Sequence, residues 1–184
     1  EYHLFTKYQG INITIPRTVA LSTDVFDQFM EANDLYSVAL SDESDEKILE
    51  RFIEAELPDW VFQDILAMLQ VIESPVAVRS SSKLEDSHYQ PFAGIYSTDM
   101  VPCCIGDKER MAHMVSMAVK SVYASVYFRG SKAYMAATSN VIDEEKMGII
   151  IQEVCGTTYG NRFYPTMSGV ARSINFYPIE PEKA

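Results

Sequence analysis

The sequence predicts a mixed α/β fold of the α+β kind, and three observations predict it. Ile11, Ile13 and Ile15 alternate with polar residues in "GINITIPRTVALST" (10–23), the period of a half-buried strand. Elsewhere apolar residues recur at helical spacing, as in "DVFDQFM" and "RMAHMVSMAVKSV". Short unbroken apolar runs, "PVAV" and "MGIII", end in polar residues, as buried strands do.

Each element follows in order. The first strand carries Ile11, Ile13 and Ile15 and is interrupted by Pro16, which has no N–H for a ladder. Ser22 or Thr23 caps the next helix, whose Val25, Phe26, Phe29 and Met30 share one face. A helix over 44–55 opens on the acids of "SDESDE", where the helix dipole favours negative charge. Another starts at Pro58, a residue suited to a first turn. "PVAVRS" (75–80) is a short buried strand. A long helix spans 107–127, and its Met111, Met114, Val115, Ala118, Val122 and Val126 read as a methionine-rich core face. Two further strands are expected at 147–156 and 168–178, with a lobe boundary near 140–147.

Composition narrows the function classes. The 184 residues suffice for one domain with a real core or for two small lobes. With 26 acids against 15 bases the net charge is −11, which argues against a nucleic-acid surface, since that needs a basic stripe. A small anion is still allowed, because one or two placed cations and backbone N–H groups can hold a phosphate. No apolar window approaches a membrane helix, and no charged-then-apolar leader is present, so neither membrane nor export is expected. Cys103, Cys104 and Cys155 are odd in number and badly spaced for disulfides or zinc, which points to a reducing cytoplasm. Cys155 has no obvious base partner and reads as a small buried hydrophobe. His3, His88 and His113 lack metal-ligand spacing, so no metal ligands are expected within the chain. Glu at position 1, and an end soon after an apolar run, suggest a piece of a longer protein.

The chemistry concentrates in "VAVRSSSKLEDSHYQPFAGIYST" (76–98). Arg79 follows a core strand directly, at the strand end where ligands of α/β sheets gather. An arginine there either clamps a phosphate or forms a salt bridge to Glu85 or Asp86. Ser80, Ser81 and Ser82 offer hydroxyls and small backbones, or serve as ordinary turn residues. Gly94 lets amides turn towards a phosphate, and Thr98 adds a hydroxyl. No GxxxxGK[ST] loop is present.

Together these residues resemble the nucleotide-binding motif of the phosphoenolpyruvate synthase and pyruvate phosphate dikinase family. There an Arg-Ser-Ser after a core strand leads to Glu-Asp, then Phe-Ala-Gly and a downstream Thr. "GINITIPRTVALSTDVFDQFM", "AVKSVYASVYF", "MGIIIQEVCG" and "SGVARSINFYP" are similar to the family's flanking segments, so the likeness covers nearly the whole chain. The resemblance implies an ATP-grasp fold, here incomplete, with residues 1–184 forming the first part of its N-terminal domain. It implies that Arg79 binds the ATP phosphates and acts in catalysis, with Ser80 beside it. Gly94 and Thr98 would form the loop over the β- and γ-phosphates, and Gln152, Glu153 and Val154 would line the adenine, largely through backbone groups. ATP and Mg2+ are the implied cofactors. The family's Gly-Gly-Lys and its magnesium-binding acids do not occur here, so the magnesium ligands are expected outside the chain, and the fragment alone is expected to be inactive and at best a weak ATP binder. In the complete enzyme ATP would phosphorylate a histidine on another domain, and that group would pass to pyruvate. A homo-oligomer is a further expectation. Two rival readings stay open: a non-catalytic regulatory or scaffold module, and a dikinase acting on glucan or rifamycin.

Overall fold

Pro16 decides where the first strand begins. In the computed structural model, which describes residues 7–8, 10–11, 13–83, 85, 94–137, 145–171 and 173, strand β1 occupies Thr18–Leu21. The expected strand over Ile11, Ile13 and Ile15 does not form, and all three side chains are exposed. The reason is pairing. The N–H of Glu153 donates to the carbonyl of Arg17 at 2.8 Å, and beyond it Pro16 has no N–H to return.

Helix α1 (Thr23–Ala32) buries Val25, Phe26, Phe29 and Met30, the face its spacing predicts. Its N-cap is Ser22, whose hydroxyl makes no capping bond. Asn33 ties off the far end: its amide donates to the carbonyls of Phe29 (2.8 Å) and Glu56 (2.9 Å) and accepts from the Glu56 N–H (3.0 Å). A short helix, α2 (Tyr36–Ala39), was not foreseen. Helix α3 (Asp45–Glu54) is capped by Ser44, and α4 (Asp59–Leu69) has Pro58 at its N-cap, one residue before the first turn. The long helix α5 (Lys108–Ser125) is capped by Asp107, which accepts from the Arg110 N–H at 2.9 Å. Met111, Val115, Ala118, Val122 and Val126 are buried and Met114 packs against the core in part, so the predicted face is core along its length, while Met117, off that face, is exposed. Helix α6 (Arg129–Ala137) is again unforeseen; Gly130 in its first turn masks the signal.

Strands β2 (Val76–Ser82), β3 (Thr98–Val101) and β4 (Met147–Glu153) join β1 in one antiparallel sheet of order β1-β4-β2-β3. Strand alternation gives the sheet two unlike faces. Leu21, Val76, Val78, Val101, Ile149 and Ile151 point into the core, where α5 and α1 pack. Phe26, Phe29 and Tyr123 meet there with ring centroids 5.0–5.6 Å apart. The other face carries Thr18, Arg79, Thr98 and Met100, all exposed. The mixed α+β class is thus the observed one, with an antiparallel sheet.

Two compact units are distinguished, Glu1–Val154 and Cys155–Ala184. The expected boundary near 140–147 falls partly on 138–144, outside the described residues. In the second unit β5 (Thr157–Tyr159) and β6 (Arg162–Tyr164) form a hairpin whose Tyr159 and Tyr164 rings stack at 4.4 Å. The strand expected over 168–178 is not seen where it can be checked. Ser168–Ala171 are irregular and exposed, with no partner strand among the described residues to bury Val170, and 172 and 174–184 lie outside those residues. Cys155 is exposed rather than buried, because it stands past the end of β4 where no core covers it.

Candidate functional site

Strand β2 leaves the core between Val78, which is fully buried, and Arg79, which is exposed. The change is one of parity: successive side chains point to opposite faces, so Arg79 emerges on the uncovered one. Its partners in register are Thr98 on β3 and Ile150 on β4. Gln152, two residues along, shares this face. Arg79 Nη1 donates to Gln152 Oε1 at 3.5 Å, Gln152 Nε2 donates to Thr18 Oγ1 at 3.2 Å, and Thr18 Oγ1 donates to the Pro16 carbonyl at 3.0 Å. The bond to Arg79 is long and leaves most of the guanidinium's donors free.

The rival partners of Arg79 separate. Glu85 bonds to Ser80 and Ser82, on the other side of the strand, and Asp86 lies outside the described residues. Among the described residues Arg79 makes no ion pair. By strand parity the open face of β1, β4, β2 and β3 carries no carboxylate at all. In a chain of net charge −11, that leaves an arginine and three hydroxyls, Thr18, Ser81 and Thr98, with no acid among the described strand residues of that face to compete. Such a surface suits a doubly or multiply charged oxyanion.

Thr98 opens β3 instead of closing a loop, which puts its hydroxyl in register with Arg79. Gly94 precedes it in a turn at φ +80°, exposed. A Cβ there would meet nothing within 4 Å, so the backbone angle alone calls for glycine.

Ser80 faces the other way, into a polar cluster behind the strand. Its hydroxyl donates to Glu85 Oε1 at 2.8 Å, and the Ser82 N–H donates to Glu85 Oε2 at 3.1 Å. In return the Glu85 N–H donates to Ser82 Oγ at 3.4 Å, the reciprocal pattern of a capping box. The Ser-x-x-Glu spacing that signals it stands in the sequence at Ser82–Glu85. Glu145, nearly buried just before β4, accepts from the Tyr96 hydroxyl at 3.2 Å. Burial raises the Glu145 carboxyl above its ordinary range and raises the Tyr96 phenol strongly, the Glu145 charge adding to the latter. The Ser82 hydroxyl beside them opposes both rises. Nothing in the local sequence marks Glu145, which reaches this cluster only through the tertiary fold.

The Gln152–Val154 segment is more engaged than expected. The Glu153 N–H goes to Arg17 and the Val154 N–H to Pro75 (2.9 Å), so both amides are used within the sheet. The Glu153 carboxylate accepts from Ser74 Oγ at 2.9 Å and lies 4.0 Å from Arg17 Nε. What this segment presents to the open face is the Gln152 side chain.

Elsewhere, an apolar groove of about 430 Å³ lies between α3, α5 and the edge strand β3, lined by Leu49, Ile53, Met100 and Met117 among others. It contributes Asp99 and no cation, the wrong charge for an oxyanion. Among the described residues no three His, Cys, Asp or Glu side chains gather as a metal site. His113 packs against Phe62, ring centroids 4.8 Å apart, whereas His3 and His88 lie outside the described residues. No helix among those residues is long and apolar enough to cross a membrane.

One family model, described as the AMP/ATP-binding domain of pyruvate phosphate dikinase, matches residues 3–183. Among curated proteins none matches.

Proposed function

The chain belongs to the pyruvate phosphate dikinase AMP/ATP-binding domain family, and from that premise we propose that the open face of its sheet receives the triphosphate of ATP at Arg79. The observation that carries the reading is the face itself: an exposed guanidinium in register with Thr98, and no carboxylate from the described strand residues on that side of the sheet. The guanidinium supplies forked donors and fixed positive charge to the phosphates. Thr98 and the turn at Gly94 add a hydroxyl and backbone amides. Ser80 contributes backbone rather than its hydroxyl, which Glu85 already holds. Gln152 and the peptide carbonyls near Glu153 and Val154 border the adenine.

The family is one of phosphotransferases. In such transfers the protein mostly positions groups and stabilises charge, and Arg79 serves as the cation on the spreading negative charge. Mg2+ accompanies ATP in this chemistry, yet the described residues do not fit a magnesium site, so no step is assigned to it here. We take the phosphoryl group to pass through a histidine on a separate domain to pyruvate, in the cytoplasm, and the complete protein to self-associate.

The test is equilibrium titration of the full-length protein with ATP. Arg79→Ala should weaken ATP binding by about thirtyfold to hundredfold, the ~2–3 kcal/mol of a charge-assisted contact, with thermal stability unchanged. Wild-type affinity in that variant removes Arg79 from the phosphate site.

A further inference from the structure

Behind Arg79 the two ends of the β2–β3 connection are held by carboxylates from different parts of the chain. At its start Glu85 closes the reciprocal pair with Ser82 and takes the Ser80 hydroxyl. Near its finish the Tyr96 hydroxyl donates to Glu145, which stands before β4, and the Ser97 N–H donates to Ser125 Oγ on α5 at 3.1 Å. The two halves meet at Ser82, whose hydroxyl accepts from the Glu85 N–H and stands beside Tyr96 and Glu145. Ser82, Tyr96 and Glu145 are all buried. These bonds therefore hold Ser80, next to Arg79, and Tyr96 and Ser97, just before Thr98.

We propose that Glu85 and Glu145 are positioning residues for nucleotide phosphate: they set where Arg79 and Thr98 stand, without touching the ligand. The proposal rests on the reading that Arg79 meets the phosphates. Ser80 is the direct neighbour of Arg79 in the middle of β2, and the Glu85–Ser80 bond restrains the stretch of strand on which the guanidinium is mounted. Tyr96 lies two residues before Thr98, and its bond to Glu145 restrains the start of β3 in the same way. Small displacements of such supports are costly where several groups must converge on one anion.

The experiment compares ATP with adenosine on the full-length protein. Glu85→Ala should weaken ATP binding about tenfold, the scale of one charge-assisted hydrogen bond, with adenosine affinity unchanged. Glu85→Gln, which can still accept from the Ser82 N–H and donate to Ser80 Oγ, should restore ATP binding to within about threefold. If Glu85→Ala does not fold, Glu85→Asp serves, one methylene short of its two partners; it should lower ATP affinity and spare adenosine. Loss of ATP and adenosine binding in equal measure marks the cluster as structural only and overturns the proposal. Wild-type ATP affinity in Glu85→Ala, alongside a weakened Arg79→Ala, overturns it too and leaves the phosphate reading standing. Wild-type ATP affinity in Arg79→Ala removes that reading and this proposal together.

Discussion

Replacing Tyr123 with phenylalanine should make the protein more stable. Tyr123 is fully buried on α5, and its ring meets Phe26 edge-on at 5.0 Å and Phe29 at 5.6 Å. Phenylalanine keeps both ring contacts. What it removes is a hydroxyl with no hydrogen-bond partner among the described residues. A buried hydroxyl that gives up water without a replacement costs roughly 1–3 kcal/mol. The same burial pushes the phenol's pKa up. Part of that cost is offset by the dispersion contacts of the oxygen, so the expected gain is about 1 kcal/mol. In a chain of this size that raises the melting temperature by roughly 2–4 °C. Differential scanning calorimetry, with urea unfolding as a second probe, reads it directly. A loss of ~1 kcal/mol or more would refute the reasoning, because it would mean that the hydroxyl has a partner in solution, such as a trapped water.

Glu145 gives a prediction in pH. Burial raises its folded-state pKa above the ordinary 4.5, the Glu85 charge adds to the rise, and Ser82, Tyr96 and Lys83 oppose it. The folded state therefore holds this proton more firmly than the unfolded chain, so the group's contribution falls as pH climbs through the window above 4.5. Glu145→Gln should match wild type in stability at pH 4 and exceed it at pH 7 to 8; a constant difference across that range contradicts the assignment. In the second unit, a Cβ on Gly156 would lie 2.7 Å from the Phe163 ring and 2.9 Å from the Tyr164 carbonyl carbon. Backbone cannot yield there, so Gly156→Ala should cost about 1–3 kcal/mol and loosen the β5–β6 hairpin. Cross-strand NMR contacts between Thr157 and Tyr164 that persist at wild-type strength would count against it.

The helices were legible because burial imposes a period: Val25, Phe26, Phe29 and Met30 predicted a face, and α1 buries it. The alternation of Ile11, Ile13 and Ile15 was as regular, yet periodicity reports compatibility with a sheet, not the presence of a partner. Beside Pro16 no described strand supplies one. The β5–β6 hairpin was readable from Gly160-Asn161 between two β-rich runs, a two-residue turn signal that was passed over. For the site, the charge of Arg79 straight after the apolar run marked it out, but β2 continues through Ser82, so Arg79 stands in mid-strand rather than at the expected strand end. Which face lies open depends on where α1 and α5 dock, and no local pattern carries that. Glu145 and the amides of Glu153 and Val154 belong to the same class, since their partners are set by strand order rather than by neighbouring residues.

Backbone amide shifts of the full-length protein, followed by NMR through an ATP titration and then an adenosine titration, bear most directly on the open face as the phosphate surface. The account predicts that ATP moves the resonances of Arg79, Thr98 and Gln152 most, and that adenosine leaves Arg79 and Thr98 where they were. Shifts centred instead on Leu49, Ile53 and Met117, with β2 and β3 silent, would contradict it.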